Sequence, residues 1–375
     1  MNAPTPKRYA GEALGAAPRI AVLGSAKLGN FIVTTPLLRG LKERWPAARV
    51  DFWGSPVTRA FEAACPWIDW RAEIVPMRDG RLDEVEALLT ERAAEGAYAL
   101  AINCDGFNPY TTRLVTMTGA RYLAGNALAP NLIDRLETGN HPWQRILDEP
   151  DWTTPDFLAR YAGHLSSNYI AELFCRMAFI ETDFFDIRVE AEPPDFAVPD
   201  VLVHANATRS AKLWPGDRWR EFLDGCAERG LSVGQVGVLP ERDNAATPGL
   251  AIEAVIAAHP AVTDLRGRTS PTKLAGAFQR ARACVSVDSG PLHVAAAVGC
   301  PTVALVGNDR DGVGASPLAL WLPRGPHIRR TVSERRCDEC LARRFRNDHC
   351  VLDEHACMLG VSPHQVLELL DAALA

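Results

Sequence analysis

Apolar residues along the chain fall into two successive series of short β-branched runs, each followed by a segment of helical period. Residues 19–24 (RIAVLG) form the first run, a buried strand by composition. Residues 31–44 then place Phe31, Pro36, Leu37, Leu38 and Leu41 on one face and Lys42, Glu43 and Arg44 on the other, as a helix would. Residues 50–53 and 98–103 are further strand runs, the second ending at Cys104-Asp105-Gly106. From 128 to 167 the pattern loosens among scattered Trp, Pro, Asp and His, which predicts an insertion of loops and a short helix able to shape an acceptor site. Residues 168–179 resume as a helix. Pro193, Pro194 and Pro199 then interrupt all periodicity and place an interdomain linker near 190–199. The second series follows: strand 201–204, helix 217–229, strand 231–238 and helix 272–282. Residues 362–374 (SPHQVLELLDAAL) close the chain as a helix with Ser362 at the N-cap, Pro363 at N1 and Gln365 at N3. Strand, turn, helix, strand, twice over, is the pattern of doubly wound parallel sheets with a cleft between the halves.

Residues 283–307 (ACVSVDSGPLHVAAAVGCPTVALVG) concentrate the chemistry. A strand at 284–287 runs into Asp288-Ser289-Gly290-Pro291, small residues at 292–298 resume as a helix that Gly299 stops, and 301–306 is a second strand. That turn joins the carboxyl end of a strand to the amino end of a helix. Free backbone N–H groups and the helix dipole favour an anion there, and Gly290 lets a ligand approach the backbone. His293 sits one turn in, where it can face the same ligand. The plainer alternative is a tight turn with Asp288 as an N-cap. At the first strand, Ser25-Ala26-Lys27-Leu28-Gly29-Asn30 occupies the corresponding place but is not the G-x-G-x-x-G of dinucleotide folds.

Length and composition narrow the classes. The chain has 375 residues, enough for two cores, with 47 % apolar residues and a formal charge of −6. A pI near 5.9 argues against a general nucleic-acid binder. No apolar run reaches the roughly 18 residues that span a bilayer. Residues 1–17, rich in Ala, Pro and Gly, read as a disordered arm and not a signal peptide. Four of the ten cysteines crowd the last 40 residues, which favours a reducing cytoplasm with one thiol or metal cluster.

Three segments in register resemble glycosyltransferase family 9, the heptosyltransferase-like enzymes of lipopolysaccharide assembly. They are SAKLGNFIVTTPLLRGLKERWP at 25–46, HANATRSAKLWPGDRWREF at 204–222, and DSGPLHVAAAVGCPTVALVG at 288–307, trailed by ACMLGVSPHQVL. The resemblance covers most of 19–374. It implies an α/β fold of GT-B type, two Rossmann-like doubly wound domains facing a cleft, with the donor nucleotide held mainly by the second. The expected organisation is an arm at 1–17, an acceptor domain at 18–192, and a donor domain at 193–361 that carries a Cys-rich finger at 337–357. A closing helix at 362–375 follows.

Carried over residue by residue, the resemblance puts Asp288, Ser289, Gly290 and His293 on the donor's diphosphate and sugar. Lys212 faces the diphosphate, with Thr208 and Arg209 just upstream, and Glu241 is a candidate for the ribose hydroxyls. A lysine suits a departing nucleoside diphosphate because charge develops there as the glycosidic bond breaks. Trp214, Pro215 and Trp219 read as packing residues. The implied reaction is inverting transfer of a heptose or similar sugar from a nucleoside-diphosphate donor, ADP-heptose by resemblance, to a glycan, protein or small-molecule acceptor. No DxD-like pair marks a strand end, so no catalytic divalent cation is expected.

One departure matters. The family has Gly-Asp where this chain has Gly29-Asn30, and that aspartate is its proposed general base. An amide has no usable proton affinity at neutral pH. Three explanations compete: another carboxylate serves, Asp105 before Asp51; the departing diphosphate takes the proton late; or the protein is a sugar-nucleotide-binding protein without catalysis. A nucleotide-sugar epimerase is a further rival, but it needs acidic residues on both sides of the cleft, which the sequence does not supply. In the tail, Cys337 and Cys340 form a C-x2-C pair, and with Cys350 and Cys357 they are candidates for a tetrahedral thiolate site, zinc ahead of iron. His349 and His355 are alternative ligands, and unligated thiols are the plainer reading. Related autotransporter heptosyltransferases, by the same resemblance, hold iron in such a finger. The seven arginines between 329 and 346 read as a solvated face, with contact to an anionic acceptor or a membrane surface as the alternative.

Overall fold

Each series of apolar runs becomes one parallel six-stranded sheet. The structure is a computed structural model that describes residues 5–106, 108–154, 156–239, 249–307 and 315–375. It divides into two units, Met1–Arg188 and Val189–Ala375.

The first unit carries β1 (Lys7–Arg8), β2 (Arg19–Leu23), β3 (Arg49–Gly54), β4 (Trp70–Glu73), β5 (Leu100–Asn103) and β6 (Tyr122–Gly125), in the order β1-β6-β5-β2-β3-β4. The second carries β7 (Val201–His204), β8 (Val233–Gln235), β9 (Val262–Asp264), β10 (Ala283–Val287), β11 (Thr302–Leu305) and β12 (Ile328–Arg330), in the order β12-β11-β10-β7-β8-β9. β2, β5, β7 and β10 are buried along their whole length, as strands covered on both faces must be. In both sheets the order reverses beside the first long strand, between β2 and β5 and between β7 and β10. Ligands of open parallel sheets bind at the carboxyl ends of strands flanking such a reversal.

Three expectations need correction. Residues 1–17 are not simply a disordered arm: Lys7 and Arg8 pair with Tyr122 and Leu123 as an edge strand. Composition hid the anchors. Tyr9 is fully buried against Tyr122 and Phe179, and the Arg8 guanidinium donates to the carbonyls of Gly125, Leu136 and Glu137. The helix expected at 31–44 is two, Leu28–Ile32 and Thr35–Arg44. Pro36 has no amide to offer the Ile32 carbonyl, and the Thr35 hydroxyl takes it instead at 2.7 Å. The strand expected at 231–238 shrinks to the three residues of β8.

The closing helix Pro363–Leu374 forms as expected, with the Ser362 hydroxyl accepting from the Gln365 amide at 3.1 Å. Val366, Leu367 and Leu370 seal it onto the second core, where Trp214 and Trp219 are fully buried edge to face. A Cβ on Gly225 would come within 2.4 Å of the end of the Leu367 side chain, so a larger residue there would make Leu367 shift.

Candidate functional site

In the second unit the candidate residues gather beside the β7–β10 reversal. The chain leaving β7 passes Thr208 and Arg209 and makes a single 3-10 turn at Ser210–Lys212. Lys212 Nζ then donates to Asp288 Oδ2 at 2.8 Å and reaches the Asp288 carbonyl at 3.3 Å. Ser316 donates its hydroxyl to the same carboxylate oxygen. Asp288 is therefore not the N-cap of the helix Gly290–Ala297: the N-cap is Ser289, extended and making no side-chain capping bond. The Ser289 hydroxyl turns back to the Val287 carbonyl at 3.2 Å. Among the described residues no side chain accepts from the amides of the first turn, the arrangement that receives an anion.

Burial alone would raise the Asp288 carboxyl. The Lys212 charge, the His293 imidazole and the two donated hydrogen bonds outweigh it and bring its pKa down to about 2. His293 moves down as well, to about 4, because burial disfavours its charged form. At neutral pH the imidazole is thus uncharged and 5 % exposed, and its Nδ1 has no hydrogen-bond partner among the described residues. A buried, unsatisfied ring nitrogen at a helix start is a group awaiting a polar ligand.

Other carried-over residues are placed differently. Arg209 spends its guanidinium on the carbonyls of Asn347 and Ala315, each at 2.8 Å, so it fastens the tail to the β7 turn. Thr208 is exposed. Glu241 lies outside the described residues.

In the first unit, Asn30 sits half-buried in the short helix after β2, its carbonyl accepting from Thr34 Oγ1 at 2.8 Å. Asp105 follows β5, across the β2–β5 reversal. Asn108 Nδ2 donates to its Oδ2 at 3.1 Å, and its own amide is held by Asn103 Oδ1 at 3.0 Å. Burial raises its pKa; the Asn108 bond and the charge of Lys27, on the β2 turn, pull it partly back. Asp51 is removed from consideration as a base. It is fully buried between Arg19 and Arg92, each at 2.9 Å, and accepts from Tyr98 at 2.6 Å, a structural ion cluster inside the sheet.

Among the described residues no group of three or more His, Cys, Asp or Glu side chains is placed to hold a metal ion. Cys357 is drawn into the second core beside Met358. Cys340 accepts from Asn347 Nδ2 at 3.4 Å, Cys350 lies 3.9 Å from the Glu354 carbonyl, and His355 lies 2.9 Å from the Ala211 carbonyl. Cys337 lies near Cys340 and Cys350 and, like Cys357, packs against the second core, but the four-thiolate site expected from spacing is not formed among the described residues. The surrounding arginines pair locally, Arg335 with Glu354 at 2.9 Å and Arg336 with Asp338 at 3.3 Å.

Sequence reasoning missed Ser316 and Asn108. Asn108 had a signal, since Asn-Pro before a periodic run marks a helix start, and its Oδ1 does cap Tyr110 at 3.0 Å. Ser316 had none, because its contact with Asp288 spans 28 residues.

Residues 180–349 match the family described as glycosyltransferase family 9 (heptosyltransferase). The chain is similar to the heptosyltransferase-like glycosyltransferases of family 9. It is 25 % identical to lipopolysaccharide heptosyltransferase 1 of Pseudomonas aeruginosa, over 95 % of this chain and 98 % of that one. Among solved structures it is similar to a family 9 glycosyl transferase from Veillonella parvula, with a TM-score of 0.71, 17 % identity and coverage of 97 % and 99 %. It is also similar to E. coli ADP-heptose lipopolysaccharide heptosyltransferase II, with a TM-score of 0.64, 18 % identity and coverage of 95 % and 98 %. A third neighbour is TibC, an iron-containing dodecameric glycosyltransferase from enterotoxigenic E. coli, with a TM-score of 0.60, 13 % identity and coverage of 96 % and 77 %. These likenesses give the chain the GT-B fold that its two parallel sheets express. Among the described residues no helix is long and apolar enough to cross a membrane.

Proposed function

We propose that this glycosyltransferase moves a heptose, with inversion, from ADP-heptose to a hydroxyl of its acceptor. The observation that carries the donor half is the set formed by Lys212, the ionised Asp288 and the uncharged His293 at the start of the helix Gly290–Ala297. In this reading the diphosphate lies against the helix start, and the Lys212 ammonium faces the leaving oxygen. Asp288, itself held by the Ser316 hydroxyl, keeps that ammonium in place. His293 Nδ1 takes the remaining polar contact, to the diphosphate or the sugar. The names of the relatives, which are lipopolysaccharide and ADP-heptose heptosyltransferases, support the choice of sugar and nucleotide.

For the transfer itself, the acceptor oxygen attacks the anomeric carbon as the bond from that carbon to the diphosphate breaks. The hydroxyl proton must leave in the same event. Asp105 is the base in this proposal, since its half-buried carboxylate has a raised proton affinity and no ion-pair partner within contact among the described residues. Asn30 orients the hydroxyl by hydrogen bonding and takes no proton. ADP departs with its new charge held by Lys212 and the helix dipole. No step is assigned to the cysteine segment.

Incubation of the purified chain with ADP-heptose and a panel of glycan acceptors, read by mass spectrometry, tests the proposal. A product heavier by one heptose residue is expected. The amide at position 30 favours one rival, a protein that binds the donor without turning it over. ADP binding with no turnover by any acceptor would select that rival.

A further inference from the structure

The cysteine segment takes no step in the transfer, yet it is tied to the turn that carries Lys212. That turn, Ser210–Lys212, has few backbone bonds of its own. The Lys212 amide donates to the Arg209 carbonyl at 3.1 Å and the Leu213 amide to the Ser210 carbonyl at 3.0 Å. So short a 3-10 turn does not hold its shape alone, because two bonds do not offset the entropy of ordering its backbone. The remaining contacts come from far downstream in the chain. The Asp348 carbonyl accepts from the Ala211 amide at 3.2 Å and from the Ser210 hydroxyl at 3.1 Å. His355 Nε2 lies 2.9 Å from the Ala211 carbonyl, which can only accept, so that nitrogen carries the proton and donates. Both backbone polar groups of the buried Ala211 are thus engaged by residues 348 and 355.

Arg209, just before the turn, extends the tie to a third segment. Its Nε donates to the Asn347 carbonyl at 2.8 Å, its Nη2 to Asn347 Oδ1 at 3.3 Å and its Nη1 to the Ala315 carbonyl at 2.8 Å. Ala315 precedes Ser316, whose hydroxyl donates to the Asp288 carboxylate that also receives Lys212. The guanidinium is half-buried, and every partner it has among the described residues is a neutral carbonyl oxygen. A planar fork of donors at fixed angles can join two segments in this way, whereas a lysine offers one nitrogen and reaches one place.

We infer that Arg209 is a positioning residue: with Asn347 and His355 it makes the 347–355 segment a brace that fixes Lys212 and Ser316 against Asp288. Donor affinity then depends on Arg209 through Lys212 and not through a contact of its own. Without the brace the lysine ammonium samples more arrangements, and lost preorganisation appears as weaker binding. This inference rests on the donor assignment proposed above and adds the residues that hold the lysine in place.

A double-mutant cycle read by calorimetry with ADP, on the full chain, tests it. Lys212→Ala should weaken ADP by about ten- to a hundredfold. Arg209→Ala should weaken it by about five- to tenfold, and Arg209→Lys as much, since the fork is lost in both. In the Lys212→Ala background, Arg209→Ala should change the affinity by less than about twofold, because the brace acts through the lysine. Additive losses would mean that Arg209 meets the nucleotide itself, and they overturn the inference. So does an unchanged affinity in Arg209→Ala with only a lowered melting temperature, the mark of a purely structural residue. His355→Phe serves where Arg209→Ala does not fold. It should weaken ADP about threefold, and His355→Gln, whose amide keeps a donor at similar reach, should restore the parent value. Equal affinity in the two His355 variants overturns the inference. The two claims fail differently. If Lys212→Ala leaves ADP binding unchanged, the donor assignment falls and the brace with it; if Lys212→Ala weakens ADP and Arg209→Ala does not, the brace alone falls.

Discussion

Asp105 and Asp288 stand at equivalent places in their two sheets, each following the strand that lies across the reversal from the first long strand, and their carboxyls are displaced in opposite directions. Both are pushed up by burial. At Asp288 a lysine ammonium 2.8 Å away and a serine hydroxyl reverse that push. At Asp105 an amide at 3.1 Å and the field of Lys27 only moderate it. One topological position therefore yields two chemical tools. A carboxylate held near a pKa of 2 stays ionised at any working pH and anchors a cation; one raised from the ordinary value exchanges a proton more readily. The fold supplies the position, and one neighbouring side chain decides its use.

The comparison breaks most visibly in the rate. Asp105→Asn should lower the single-turnover rate with ADP-heptose and a confirmed acceptor by roughly 10²–10⁴-fold, the usual worth of a general base. Full retention would remove Asp105 from that role and favour late proton transfer to the diphosphate. Next in size, Lys212→Ala should weaken ADP by about ten- to a hundredfold in calorimetry, the loss of a charge-assisted contact together with an anchor left unpaired. Unchanged affinity would detach the Lys212–Asp288 pair from the donor.

Stability against pH sharpens the contrast from another side. Asp288 drops from 3.8 unfolded to about 2 folded, so the folded state binds fewer protons between those values. Its contribution, about 2 kcal/mol, is complete above pH 4 and lost as pH falls toward 2. His293, lowered from 6.5 to about 4, has the same sign at higher pH: its part is present above 6.5 and lost as pH falls through 4. Urea titrations at several pH values should show the lower step vanish in Asp288→Asn and the upper step in His293→Gln. Asp105, raised in the fold, has the opposite sign and should oppose these losses around pH 4. The smallest effect belongs to Asn30→Ala, a few-fold loss of rate with donor affinity unchanged; a loss as large as that of Asp105→Asn would make Asn30 more than an orienting group.

What was legible in the chain follows the reach of each interaction. Residues 283–307 declared themselves because strand, turn, anion site and helix are written in consecutive residues, and the structure differs there mainly in giving the N-cap to Ser289. The Lys212 motif was legible only through resemblance; its meeting with Asp288 spans 76 residues. Strands such as β4 (WRAE) and β12 (IRR) escaped because edge strands are short and half-exposed, so no apolar run marks them. The cysteine tail shows the limit of a local signal. A C-x2-C spacing is read from four residues, but whether four thiols converge depends on the fold, which sets Cys337 and Cys357 against the second core without forming a ligand set among the described residues.

The division of labour between the two aspartates is tested most directly by the pH dependence of the single-turnover rate in the parent and in Asp105→Asn, with ADP-heptose saturating. The account predicts a rate in the parent that falls at acid pH with an apparent pKa above the ordinary carboxylate value, and a slow, pH-flat profile in the variant over the same range. An acid limb that persists unchanged in Asp105→Asn would contradict it.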